Sequence, residues 1–182
     1  SLEAGFPPGV FNIVNGDPKT IGKILSNDSI IKKITFTGST EVGKLLMRNS
    51  SSTVKNISLE LGGNAPFIVF SDANIDEAID GFLMAKFRNA GQTCISANRL
   101  FVHKSLSNSF TNKLVDRLKK LKVGDGMKSN DIGPVISNEA LKKIIDHVSD
   151  AKKNGAKIIF GGKRHKLGGL FYEPTLISKV KK

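Results

Sequence analysis

The sequence predicts an α/β protein built around parallel sheet. Three observations carry the prediction. Short apolar runs alternate with longer amphipathic stretches, the order strand, helix, strand recurs along the chain, and hydrophobic residues at 39% with charged residues at 24% match ordinary globular usage. The same composition excludes collagen, coiled coil and a wholly disordered chain.

Phe11-Asn12-Ile13-Val14 reads as the first strand, ended by Asn15-Gly16. A helix over Asp17–Leu25 follows, with Asp17 as cap and Pro18 at the first position, where a missing N–H costs nothing. Lys33–Thr37 reads as a strand, Glu41–Arg48 as a helix and Val54–Leu59 as a strand. Three parallel strands with intervening helices make half of a Rossmann-like, nucleotide-binding sheet. The rhythm restarts after Gly62-Gly63, the one candidate seam. Phe67–Phe70 has the pattern of a fully buried strand, and Ile75–Phe87 that of a helix with Asp72 or Asn74 near its start. Leu100–Val102 is a strand, and Ser105–Leu121 a helix whose Leu106, Phe110, Leu114 and Leu118 share one face. Asn138–Lys153 is a helix with Leu141, Ile144, Ile145 and Val148 apolar, stopped by Asn154-Gly155. Lys157–Phe160 follows as a strand, Gly161-Gly162 and Gly168-Gly169 bracket a loop, and Pro174–Ile177 reads only as an apolar segment.

The formal net charge of +12 comes mostly from lysines scattered singly or as the doublets Lys32-Lys33, Lys119-Lys120, Lys142-Lys143 and Lys152-Lys153. These read as solvated helix faces. No zinc finger, aromatic RNA-binding signature or basic run of five is present, and a lone Tyr172 without Trp gives little stacking surface, so nucleic-acid binding is not expected. No apolar stretch approaches the ~20 residues that cross a bilayer. One cysteine excludes an internal disulfide, and no Cys-x-x-Cys pair offers a structural metal site. The chain opens without an initiator Met or a signal pattern and stops straight after an apolar segment, so a fragment of a longer protein is expected.

Three segments carry chemistry. In Phe36-Thr37-Gly38-Ser39-Thr40-Glu41-Val42-Gly43 a strand runs through glycine into a helix start, where free N–H groups and the helix dipole favour a phosphate. Taken alone, such a turn is more often merely good capping chemistry, and the signal is weak. In Ser58-Leu59-Glu60-Leu61-Gly62-Gly63-Asn64 a carboxylate leaves an apolar strand. If desolvated there, Glu60 gains the raised proton affinity of a general base; as an exposed strand end it does nothing. In Lys86-Phe87-Arg88-Asn89-Ala90-Gly91-Gln92-Thr93-Cys94 the only cysteine leaves an amphipathic helix through a glycine-containing turn. A solitary cysteine is commonly an inert core filler, and a nucleophilic one needs N–H donors or a nearby cation to favour its thiolate. Arg88, six residues earlier, is close enough in sequence to point into the same cavity. Nothing orients His103, His147 or His165 for a cysteine–histidine dyad, so all three read as surface or structural.

Together these segments resemble the aldehyde dehydrogenase superfamily. Leu59-Glu60-Leu61-Gly62-Gly63-Asn64-Ala65-Pro66 is similar to its glutamate signature and Phe87–Cys94 to its cysteine signature, at an agreeing separation. Phe36–Gly43 resembles its coenzyme turn, and Ala4–Asn12 the segment before it. Within the superfamily the run Lys86–Cys94, with Ala97-Asn98-Arg99-Leu100 and Gly124-Asp125-Gly126, is most similar to succinate-semialdehyde dehydrogenases.

The resemblance implies the second half of a coenzyme-binding domain over residues 1–61 and the first part of a catalytic domain over 62–182. It implies Cys94 as nucleophile, forming a thiohemiacetal and then a thioester, and Glu60 as the base that activates water. Gly38, Ser39, Gly43 and Leu61 would serve NAD or NADP, and Arg88 the distal carboxylate of succinate semialdehyde. Ser96 stands where some relatives carry a second cysteine, which excludes a disulfide switch within this motif. The family asparagine, lysine and second glutamate that complete the pocket would lie outside the chain, so the 182 residues alone are expected to be inactive. A homodimer or homotetramer in the cytoplasm, or in mitochondria, is implied for the whole protein. A different aldehyde with Arg88 only structural, or a truncated chain without catalysis, are the alternatives.

Overall fold

Asp17 and Pro18 begin the first helix as their chemistry requires. In the computed structural model, which describes residues 2–181, the Asp17 carboxylate accepts from the backbone N–H and hydroxyl of Thr20 at 2.8 and 2.7 Å, opening α1 (Pro18–Asn27). The chain divides into two units, Ser1–Gly62 and Gly63–Lys182.

In the first unit, β1 (Lys33–Gly38), α2 (Thr40–Ser50) and β2 (Asn56–Leu61) form a parallel β-α-β unit with Lys33 beside Asn56 and Gly38 beside Leu61. Side chains alternate across the pair. Ile34, Phe36, Ile57, Leu59 and Leu61 are half-covered, whereas Thr35, Thr37, Ser58 and Glu60 are exposed. Buried Ser26 accepts from the Asn49 amide at 3.3 Å, tying α1 to α2. The Lys55 ammonium, also buried, donates to the carbonyls of Asp28 and Ile31.

Two expectations need correction here. Phe11–Val14 is not a strand: it has no partner among the described residues, and Phe11, Ile13 and Val14 are exposed. A strand exists only through its ladder. The strand expected from Val54 starts at Asn56, because Val54 takes a left-handed conformation, φ +50°, at the end of the turn Ser51–Thr53.

The second unit repeats the pattern with β3 (Ala65–Val69), α3 (Ile75–Phe87) and β4 (Ala97–Val102), the strands parallel and Phe67 beside Leu100. Asn74 caps α3 by accepting from the N–H groups of Asp76 and Glu77 at 3.0 and 3.4 Å. Helix α4 (Ser107–Leu118) packs Phe110, Leu114 and Leu118 against Val69, Ile79, Phe82 and Ala97, and all seven are buried. Each large apolar side chain removed from water there contributes about 1.5–3 kcal/mol. Phe67 meets Phe82 edge to face at 5.4 Å. β3 is not fully buried as expected. Helices cover one face of this two-stranded sheet, so Phe67 and Val69 turn inward while Ile68 and Phe70 stay exposed.

Helix α5 (Asn138–Lys153) is capped by Ser137, which accepts from the Ala140 N–H at 3.2 Å. It ends with Ala156 N–H bonding Ala151 and Gly155 N–H bonding Lys152, Gly155 being left-handed. β5 (Lys157–Phe160) pairs antiparallel with β6 (Leu176–Ser178), the strand not assigned from sequence. The lysine doublets are all exposed. Among the described residues no helix is long and apolar enough to cross a membrane.

Candidate active site

The carboxyl ends of β1 and β2 gather four of the residues singled out from sequence. A Cβ at Gly38 would collide with the Phe36 ring unless that ring moved. The Ser39 hydroxyl caps α2 by accepting from the Val42 N–H at 3.3 Å. The N–H groups of Thr40 and Glu41 have no acceptor among the described residues and stand open at the positive end of the helix dipole. That arrangement fits a dinucleotide phosphate, with the Glu41 carboxylate as the opposing charge.

Glu60 lies beside Thr37 in the register, on the polar face. It is exposed on that face. Leu61 turns to the opposite, helix-covered face. A Cβ built on Gly43 would come within 2.8 Å of a Leu61 methyl, so Gly43 lets α2 lie close on β2. The structure gives Gly43 and Leu61 a packing role at this contact.

In the second unit, α3 ends at Phe87 and the chain enters the turn Arg88–Gly91, where Asn89, Ala90 and Gly91 are all left-handed at φ +53°, +56° and +77°. Each non-glycine residue held so costs about 1 kcal/mol or more. Gln92 offsets the cost by clamping the turn. Its side-chain amide donates to the carbonyls of Asn89 and Pro134 at 3.1 and 3.4 Å, and its amide oxygen accepts from the Ile136 N–H at 2.8 Å. An open cavity of about 510 Å³ lies here, lined by Asn89, Gln92, Pro134, Val135, Ile136 and Leu170.

Cys94 follows on a turn closed by the Ser96 N–H to the Thr93 carbonyl at 3.1 Å. Its thiol is exposed and free, not a core filler. The Cys94 N–H has no acceptor among the described residues. Gly63 lies close on the other side: a Cβ there would stand 3.2 Å from the Cys94 carbonyl oxygen, a tight contact. The Asn64 carbonyl accepts from Arg99 Nε at 3.0 Å, fastening the start of β3 to the same segment. Arg88 is exposed and forms no ion pair among the described residues. His103 bonds Ser105 at 2.8 Å, His165 accepts from the Leu167 N–H, and His147 is exposed; none contacts Cys94. No His, Cys, Asp or Glu cluster among the described residues could hold a metal.

Two residues of the cysteine segment had no role in the sequence reading. One is Gln92. The other is Lys86, whose ammonium donates to Ser96 Oγ at 3.1 Å and Asn98 Oδ1 at 2.6 Å, and whose pKa burial pushes down. A lysine at the end of the apolar run Phe82-Leu83-Met84-Ala85 was the only signal available.

Comparison with known proteins gives one consistent result. Residues 1–182 match the aldehyde dehydrogenase family. A probable succinate-semialdehyde dehydrogenase [NADP(+)] of Sinorhizobium fredii is 55% identical over 98% of the chain, and a 3-sulfolactaldehyde dehydrogenase of Pseudomonas putida is 48% identical over 97%. The crystal structure of succinate-semialdehyde dehydrogenase from Burkholderia pseudomallei superposes with a TM-score of 0.94 at 50% identity, over 99% of the chain and 38% of its own. The chain spans about 37% of the length of the two curated relatives.

Proposed function

Because the chain belongs to the aldehyde dehydrogenase family, we propose that the protein carrying it oxidises an aldehyde, succinate semialdehyde first among the candidates, with NAD or NADP as oxidant. The observation that carries the reading is an exposed, unpartnered thiol on a clamped turn, within a chain that matches the family throughout.

Cys94 thiolate attacks the carbonyl carbon, and the aldehyde oxygen becomes an oxyanion. The free N–H of Cys94 is suited to accept that charge as a hydrogen-bond donor. When bound, NAD or NADP would supply the hydride acceptor, and the N–H groups of Thr40 and Glu41, beyond Gly38 and Ser39, would hold its phosphate. Once Cys94 carries the acyl group as a thioester, Glu60 takes a proton from water, the water oxygen bonds to the acyl carbon, and the acid leaves as the Cys94 thiolate is regenerated. Residues 1–61 would then be coenzyme-binding and 62–182 catalytic.

Arg88 supports the choice of substrate. Its unpaired guanidinium suits a bidentate bond to a carboxylate, and the substrates named for both curated relatives, a semialdehyde acid and a sulfonated aldehyde, carry an anionic group away from the carbonyl. A second reading, another anionic aldehyde, rests on the second of those names. A cytoplasmic homodimer or homotetramer fits the family analogy and is tested by light scattering and cell fractionation.

In the full-length protein, Cys94→Ser should lower turnover at least ~10³-fold and Glu60→Gln should leave a stoichiometric burst of NAD(P)H followed by slow turnover. Turnover by the serine variant at the wild-type rate would overturn the reading. Arg88→Ala should raise KM for succinate semialdehyde about 10–100-fold, as expected for losing a charged hydrogen bond, and change it little for propanal. Equal effects on both aldehydes would remove Arg88 from substrate binding.

A further inference from the structure

We propose that Lys86 is a positioning residue for the nucleophile: from the end of α3, before Cys94, its ammonium donates to two side chains that follow Cys94 and so holds the cysteine turn in its reactive conformation. The proposal rests on the reading of Cys94 as nucleophile.

Two hydrogen bonds and one close approach define the arrangement. Lys86 Nζ donates to Ser96 Oγ at 3.1 Å, two residues beyond the cysteine, and to Asn98 Oδ1 at 2.6 Å, where β4 begins. It also lies against Gly91, three residues before the cysteine: a Cβ at Gly91 would stand 3.2 Å from Nζ and 3.0 Å from the Lys86 carbonyl oxygen. Ser96 is only 1% exposed, and its hydroxyl donates back to the Lys86 carbonyl at 3.4 Å while its N–H closes the turn over Cys94. The end of α3, the left-handed turn and the segment after the cysteine therefore converge on one cation.

That cation is poorly placed for stability alone. No carboxylate pairs with it among the described residues, and its acceptors are neutral oxygens. Withdrawing an ammonium from water without a counter-charge is costly, and burial lowers its pKa accordingly. Methionine would fill the same space with its unbranched chain and avoid the cost. It could not donate to Ser96 and Asn98, which is the function the geometry assigns.

The test uses Lys86→Met, Lys86→Arg and Asn98→Leu in the full-length protein, with Cys94→Ser alongside. Turnover of succinate semialdehyde and the rate at which iodoacetamide alkylates Cys94 are both read. Lys86→Met should lower kcat and the alkylation rate together by about 10–100-fold, the cost of a misplaced reacting group, while KM changes less than about 3-fold. Lys86→Arg, which keeps the charge and the donors, should recover most of both. Asn98→Leu removes the shorter bond but leaves Lys86, and should reproduce a smaller loss in the same two rates if the methionine variant fails to fold. Wild-type alkylation and kcat in Lys86→Met, or in Asn98→Leu where only that variant folds, would overturn the proposal. So would equal losses in the arginine and methionine variants. If Cys94→Ser remains active, the underlying reading fails instead; an inactive serine variant beside an unaffected methionine variant removes the role of Lys86 alone.

Discussion

One missing Cβ decides how α2 lies on β2. Gly43 meets the Leu61 methyls so closely that a branched side chain would push helix from strand. Gly43→Val is therefore expected to destabilise the chain by about 1–3 kcal/mol in urea unfolding. Lys86 makes a second residue-level prediction, with a definite sign. Its folded-state pKa lies below the ordinary lysine value because of burial. Between those two values the unfolded chain holds the proton and the folded chain does not, so stability rises with pH across that alkaline window. The wild-type stability minus that of Lys86→Met should rise across the window; a flat difference would show that burial does not perturb this lysine. At this scale the sequence was informative about identity and blind to surroundings. Glu60 and Cys94 stood out through the glycines and polar residues around them. Whether Glu60 is desolvated depends on what lies over it, which no local spacing encodes. Gln92 could not be assigned because its partners, Pro134 and Ile136, are more than forty residues away.

Elements with local start and stop chemistry were legible; those made by distant pairing were not. α1, α3 and α5 begin where Asp17, Asn74 and Ser137 cap them, and α5 ends where Gly155 permits a left-handed turn. Removing the Ser137 hydroxyl by Ser137→Ala should cost about 1 kcal/mol, readable as a lower urea midpoint. β6 escaped notice because its three residues are a strand only against β5. Phe11–Val14 has the composition of a strand and no partner among the described residues. The β5–β6 pairing in turn depends on Gly161, which is left-handed at φ +65° and would drive a Cβ into the Pro174 carbonyl. Gly161→Ala should lower stability by about 1–3 kcal/mol, and loss of amide protection at Ile158 and Ile177 would locate the damage.

Across the whole molecule, burial is uneven. Val69, Ile79, Phe82, Ala97, Phe110, Leu114 and Leu118 form one cluster in the second unit, whereas Leu46 is the one buried large hydrophobe of the first unit among the described residues. Ile24, Leu25, Leu45 and Met47 on the first unit are exposed. Amide exchange in the isolated chain should therefore be slowest in α3 and α4 and faster in α1 and α2; slowest exchange in α1 would contradict this distribution. The overall α/β class was legible because periodicity is a property of long segments, while the extent to which each face is covered was not.

The reversed backbone of Asn89-Ala90-Gly91 also bears on engineering. A codon library spread over these positions would be culled by chirality before any chemistry was sampled, with β-branched replacements of Ala90 among the first to drop out. Attempts to retune the accepted aldehyde gain more by leaving that tripeptide alone and diversifying Arg88 and Ile136, neither of which is held in the left-handed region.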